Sequence, residues 1–130
     1  MNLLRIAFPI IFSMLLLAIP GTSAADDNVS SATRTMAEFM INLQHYASEA
    51  DKVKLKKVAA EATTTADEKT IAQALLNFKH QAADTDKPKL KAITTDVSAP
   101  AAVKSLASIL LSLNHHATDA DVAKLKQITK

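Results

Sequence analysis

Apolar side chains recur along this chain at the spacing of one helical face, in three successive stretches. The first stretch carries Met36, Phe39, Met40, Leu43 and Ala47. The second carries Ile71, Ala74, Leu75, Phe78 and Ala82, and the third carries Leu106, Ile109, Leu110, Leu113 and Ala117. Intervals of three and four residues place such side chains on one side of an α-helix. The pattern therefore predicts three amphipathic helices, which we call the A helices, and the first covers residues 33–47.

A second, shorter helix is predicted after each A helix, within a motif that occurs three times. The motif reads His-x-Ala-x-acid-x-Asp-x-x-Lys-Leu-Lys and begins at His45, His80 and His115, an interval of 35 residues. Its acidic residues suit a helix N-terminus, where the helix dipole stabilises negative charge. The apolar faces of these B helices are formed by Leu55 and Val58, by Leu90 and Ile93, and by Leu125 and Ile128.

Capping residues mark where several of these helices begin. Thr65 with Glu68 has the pattern of a capping box before the second A helix, and Ser98 followed by Pro100 predicts the start of the third. Each B helix has two candidate caps, and the sequence leaves the choice open. They are Ser48 or Asp51 in the first unit, Thr85 or Asp86 in the second, and Thr118 or Asp121 in the third.

These elements predict an all-α domain of three tandem helix-turn-helix hairpins, with repeats at 33–67, 68–102 and 103–130. Ile41, Leu76 and Leu111 lie off the main apolar face of each A helix, so their burial requires that the units pack on one another. Either a short solenoid or a closed six-helix bundle would satisfy this requirement. The unit resembles the tetratricopeptide class in length and helix count, and it lacks that class's pattern of small and aromatic residues.

The first 24 residues have the features of a cleavable signal peptide. Arg5 precedes an apolar run over residues 6–20, and small residues follow at 21–24. Pro9 and Pro20 interrupt the run, which favours cleavage near Ala24 or Ala25 over a permanent membrane anchor. We therefore expect a periplasmic or secreted protein whose polar residues 25–32 form a flexible N-terminus.

Composition excludes several classes of function. The formal net charge is +2, too balanced for nucleic acid to be the expected partner. The chain has no cysteine, which excludes a thiolate metal site and a cysteine nucleophile. Its one glycine is Gly21, so no glycine-rich phosphate loop follows the signal. Because no recognisable nucleophile or zincin motif is present either, we expect a protein that is not an enzyme.

The recurring histidines are the main candidates for chemistry. Imidazole is the commonest protein ligand for zinc and copper, and His45, His80 and His115 would converge if the hairpins closed around a threefold axis. In a solenoid they would instead lie in a row, one per unit. If the A helices extend as predicted, each histidine lies near a helix C-terminus, on the side away from the main apolar face. His116 adds a fourth imidazole, which diverges from its neighbour on a helix.

Three other arrangements of residues could carry chemistry, and each has a structural role as its alternative. The carboxylates of residues 84–86 and 119–121 have the opening of a calcium loop but not its glycine or terminal Glu, so helix capping explains them. Met36 and Met40 could ligate haem, although core packing is the usual role of methionine on an apolar face. The lysines of the first B helix, at 52, 54, 56 and 57, would suit an anionic membrane or cell-wall polymer.

The repeat architecture favours a non-enzymatic interaction module that binds a protein or peptide on a groove of stacked A helices. This reading needs no cofactor. The alternative is a periplasmic protein that binds zinc or copper through His45, His80 and His115.

Overall fold

The computed structural model describes residues 29–130, and the predicted signal peptide at 1–24 lies outside that range. The described residues form six helices and no extended strand. The helices are α1 (Ser31–Asn42), α2 (Glu49–Ala60), α3 (Ala66–Leu76), α4 (Lys87–Thr95), α5 (Ala101–Ser112) and α6 (Asp119–Ile128). The A helices are α1, α3 and α5, and the B helices are α2, α4 and α6. No helix in this part of the chain combines the length and apolar character that a membrane span requires.

The three hairpins close into a ring. Each B helix packs chiefly on the A helix of the next unit, α2 on α3 and α4 on α5, and α6 returns to pack on α1. The three A helices contact one another pairwise at the centre. Because the last unit contacts the first, the fold is the closed six-helix bundle rather than the open solenoid. We call the contact between consecutive units a seam.

Equivalent residues of the three A helices form matching buried layers. Two layers are fully buried, namely Met36 with Ile71 and Leu106, and Met40 with Leu75 and Leu110. Alanine occupies the fully buried positions 37, 72 and 107, which lets neighbouring helices approach closely. Ile41, Leu76 and Leu111 are partly buried and pack against this core. Their burial confirms the prediction that the units pack on one another.

Glu68 joins the first two units at the end of the bundle where the A helices begin. Its side chain is 2% exposed, and it accepts hydrogen bonds from the Ser30 and Thr33 hydroxyls and from the Thr65 N–H. Burial raises the pKa of Glu68, but the hydrogen bonds from Ser30, Thr33 and Thr65 outweigh it and hold that pKa below its ordinary value. Thr33 and Glu68 occupy equivalent positions 35 residues apart, so equivalent residues meet across this seam.

The structure resolves the competing helix caps. Ser48 and Thr118 cap α2 and α6, since their hydroxyls accept the backbone N–H three residues further on. The equivalent residue of the second unit is Ala83, which has no oxygen to offer, and α4 therefore begins later, with Asp86 at its N-cap position. The Asp86 carboxylate accepts no capping hydrogen bond from a backbone N–H of α4. It accepts instead from the Asn77 amide at 2.9 Å.

The A helices show both agreement and error in the predicted boundaries. The capping box of Thr65 and Glu68 is present at the start of α3. The third A helix begins only at Ala101, after Pro100, rather than at Ser98. At the other end, α1 stops at Asn42 and Leu43 is extended, with φ −66° and ψ 125°, so the predicted helix to residue 47 was wrong. Leu43 and Ala47 are both buried from a non-helical segment, which the four-residue spacing did not distinguish from a helix.

We expect Glu68→Gln to destabilise the fold at neutral pH by about 1–2 kcal/mol, because the carboxylate accepts on both oxygens and an amide has only one acceptor oxygen. The lowered folded pKa adds a pH signature. The wild-type advantage is complete above the unfolded carboxyl pKa, 4.5, and is lost as the pH falls through the folded value. Urea unfolding at pH 7 and in acid measures both effects. Glu38→Gln, at an exposed site of α1, is the control, and equal losses for the two variants would contradict the assignment.

Candidate metal centre

The three recurring histidines lie in the linkers between helices, not on the helices themselves. His45, His80 and His115 each follow the end of an A helix within a few residues and precede a B helix. Their expected position at a helix C-terminus, turned away from the apolar face, was therefore wrong. The error came from the overlong A helix, since extending α1 to residue 47 would carry His45 around its outer side.

Backbone hydrogen bonds draw the three linkers together at this end of the bundle. The His80 N–H donates to the His45 carbonyl at 2.8 Å, and the His115 N–H donates to the His80 carbonyl at 2.5 Å. The second and third units are thereby each tied to the unit before through the same residue of the repeat. The linkers thus carry the three equivalent side chains to one place.

The imidazole rings meet through their Nδ1 atoms. His115 Nδ1 lies 3.1 Å from His45 Nδ1 and 3.0 Å from His80 Nδ1. The ring centroids are 5.3, 5.2 and 4.8 Å apart, and one ring nitrogen from each residue lies within 4.8 Å of the others. All three side chains are exposed, so the cluster is open to solvent. We call these residues the histidine cluster.

Hydrogen bonding alone satisfies this arrangement poorly. A neutral imidazole nitrogen carries either one hydrogen or one in-plane lone pair, so His115 Nδ1 forms one good bond with a neighbour of the opposite kind. The second neighbour then shares that hydrogen or lone pair at a distance close to a full hydrogen bond. A cation removes the conflict, because all three nitrogens present lone pairs to it.

The spacing also suits a metal ion. Zinc–imidazole bonds are about 2.0–2.1 Å, and two ligands at a tetrahedral angle are then about 3.3 Å apart. The two separations at His115 are a few tenths of an ångström shorter than this. Ring rotations that bring all three separations to this value would place an ion between the three nitrogens, which already lie within 4.8 Å of one another.

Two of the histidines have a backbone conformation that favours glycine. His80 has φ 64° and His115 has φ 67°, the only positive values among residues 29–130. The left-handed region costs a non-glycine residue about 1 kcal/mol or more, although histidine is among the side chains found there more often. Both linkers nevertheless carry an imidazole where glycine would relieve the backbone. Such positions are concentrated at functional sites, which supports a role for the side chain itself.

The other candidates have structural positions. His116 is exposed and lies outside the histidine cluster. Met36 and Met40 are fully buried in the core, which leaves no access for haem. Among the acids of residues 84–86 and 119–121, Asp121 closes a capping box and Asp84 pairs with Lys87 at 2.6 Å. The α2 lysines at 54, 56 and 57 are exposed to solvent, and Lys52 is partly buried.

Two equivalent grooves flank the histidine cluster, and sequence reasoning did not identify them. The first lies at the seam between units one and two and is lined by His45, Tyr46, Lys52, Leu76, Lys79 and His80. The second lies at the seam between units three and one and is lined by Ile41, Gln44, His45, His115 and His116. We call them the Tyr46 groove and the His116 groove. The signal that could have identified them is that the residues on either side of the repeated histidine differ from one unit to the next.

Substitutions at His80 separate the free-energy cost of its backbone conformation from the contribution of its side chain. We expect the free energy of unfolding of His80→Gly to be about 1 kcal/mol higher than that of His80→Ala, because only glycine enters the left-handed region without strain. His45 lacks a positive φ, so the order reverses there and His45→Ala is the more stable of its pair. Metal-free urea unfolding of the four variants measures this. The same order at both positions would contradict the left-handed conformation of His80.

Comparison of the chain with protein-family profiles, with curated protein sequences and with solved structures found no match in any of the three. The geometry of the histidine cluster is therefore the basis for a proposed function.

Proposed function

We propose that the protein binds a divalent transition metal ion, zinc or copper, through Nδ1 of His45, His80 and His115. The observation that carries the proposal is the convergence of these three atoms from three separate units. Export of the protein is part of the proposal. The apolar run at 6–20 and the small residues at 21–24 support an extracytoplasmic site of action.

The ligand set favours zinc and copper over harder ions. Three neutral imidazoles suit both metals, whereas calcium and magnesium prefer oxygen ligands. The Irving–Williams order places copper(II) above zinc at a site of this kind, so copper should bind more tightly in a direct comparison. Three protein ligands leave at least one coordination position for water or another molecule.

The ion would also connect the first and last units of the bundle. Backbone bonds from His80 and His115 already tie each of these linkers to the preceding unit. His45 and His115, from the first and last units, meet through their side chains at 3.1 Å. A metal bound to both would reinforce the seam that closes the bundle. Metal binding should therefore stabilise the whole fold, not only the linkers.

Metal binding accounts for the geometry better than the peptide-binding module does. That module requires a groove along stacked A helices, but the A helices pack on one another at the centre, and their equivalent faces are buried. Binding of another protein elsewhere on the surface remains a prediction from the repeat. The site performs no reaction in this proposal, in line with the absence of a recognisable catalytic motif in the sequence.

Calorimetric titration of tag-free mature protein tests the proposal directly. We expect uptake of one zinc or copper(II) ion per chain, with copper bound more tightly. His45→Ala, His80→Ala and His115→Ala should each weaken binding by at least tenfold, because removing one of three ligands leaves a two-imidazole site. His116→Ala is the matched control, since it removes an exposed imidazole outside the cluster. Absence of uptake, or uptake that survives all three substitutions, would overturn the proposal.

Metal should raise the free energy of unfolding in proportion to its affinity. At a free zinc concentration of one hundred times Kd, the expected gain is about 2.7 kcal/mol, if the unfolded chain has no affinity. The gain should shrink in acid, because imidazole must be neutral to ligate and protons then compete with the metal. Thermal or urea unfolding with and without zinc, reversed by a chelator, measures it. An equal gain in His45→Ala would show that zinc stabilises the fold from another site.

A further inference from the structure

The Tyr46 groove and the His116 groove are related by the repeat but differ in chemistry. Each is bordered by the residue after the histidine of one unit and the residue before the histidine of the next. In the Tyr46 groove these residues are Tyr46 and Lys79, and in the His116 groove they are His116 and Gln44. The histidine is the same in every unit, and the residues on either side of it differ between units. The two grooves therefore present different surfaces to a ligand at the same metal.

The Tyr46 groove combines an apolar surface with positive charge. Leu76 is partly buried, Phe78 is 2% exposed at the base, and the Tyr46 ring is 69% exposed at the rim. Lys52 and Lys79 supply two ammonium groups, and no carboxylate lines the groove. Its volume of about 310 Å³ is at the lower end of the range for small-molecule sites. This surface suits a small molecule with a flat apolar body and an anionic group.

Lys79 is the principal cation of the groove. The Lys52 ammonium lies 2.6 Å from Glu49 Oε1, and that pairing lowers the pKa of the Glu49 carboxyl. Its charge is thus largely directed at a carboxylate outside the groove. Lys79 stands beside His80, and its backbone bridges that of Tyr46 across the seam. The bridge therefore places the cation and the aromatic ring next to each other at the groove.

We propose that the Tyr46 groove binds a small aromatic anion, whose charged oxygen occupies the open coordination position of the metal. Lys79 neutralises the charge of the anion, and the aromatic ring of the anion packs between Tyr46 and Leu76. The inference rests on the proposed metal site, because the three histidines leave a position to which an exogenous oxygen can bind. The metal supplies affinity for the oxygen, and the groove determines which anions bind.

Cobalt(II) substitution makes the two proposals separately measurable. Cobalt binds the same nitrogen ligands as zinc, and its visible spectrum reports the coordination sphere. Protein loaded with cobalt is titrated with benzoate, with phenyl phosphate and with benzyl alcohol, and the spectrum is followed. We expect benzoate or phenyl phosphate to change the cobalt spectrum saturably, and benzyl alcohol to have no effect at the same concentration. The more tightly bound anion identifies the carboxylate or the phosphate as the preferred group.

Matched variants locate the site within one groove. Lys79→Ala should raise the Kd for the anion about three- to fivefold, which is the upper range for an exposed ion pair. Tyr46→Ala should raise it about two- to tenfold, through loss of an aromatic contact. Gln44→Ala and His116→Ala, the equivalent residues of the other groove, should leave it unchanged. All four residues lie outside the histidine cluster, so cobalt binding itself should persist.

The outcomes distinguish this inference from the metal proposal. If cobalt does not bind, the metal site is wrong and this inference falls with it. If cobalt binds and neither anion alters its spectrum, the metal site stands and the groove assignment is overturned. Equal binding of benzyl alcohol would overturn the role of charge. Equal losses in the Gln44 and Lys79 variants would overturn the placement in the Tyr46 groove.

Discussion

The packing of each B helix on the A helix of the next unit determines the rest of this structure. Leu55, Leu90 and Leu125, one from each B helix, are at most 1% exposed, so each hairpin buries its second helix against a neighbour. A hairpin built this way leaves one face of its A helix uncovered until another unit supplies a B helix. The third unit meets that need for the first when α6 packs on α1. Three units therefore complete a ring in which no A helix lacks a partner.

Closure gives equivalent residues a common environment at both ends of the A helices. Where the helices begin, position 33 and its equivalents hold Thr33, Glu68 and Val103, and all three are buried. The one carboxylate there, on Glu68, is satisfied by hydrogen bonds from Ser30, Thr33 and Thr65. At the opposite end the repeat places three identical side chains together, and a single ring nitrogen, His115 Nδ1, cannot be donor to one neighbour and acceptor from the other. That difference is the reason for proposing a ligand site at the second end and not at the first.

The amino-acid pattern predicted the helical content, the apolar faces and the need for contacts between units. It predicted less about the linkers, because Leu43 and Ala47 fit a helical interval although the chain between them is not helical. The position of His45 followed from that error. The choice between solenoid and ring depends on whether α6 can reach α1, a long-range relation that local periodicity does not encode. The positive φ of His80 and His115 was equally hidden, since histidine gives no signal as strong as glycine does.

Anomalous X-ray diffraction from crystals soaked in zinc would test the convergence of the three units on one ion most directly. The account predicts a strong zinc peak bonded to Nδ1 of His45, His80 and His115 at about 2.0–2.1 Å, with at least one further position filled from solvent. Zinc found only on surface carboxylates, with the three rings free of metal, would contradict it.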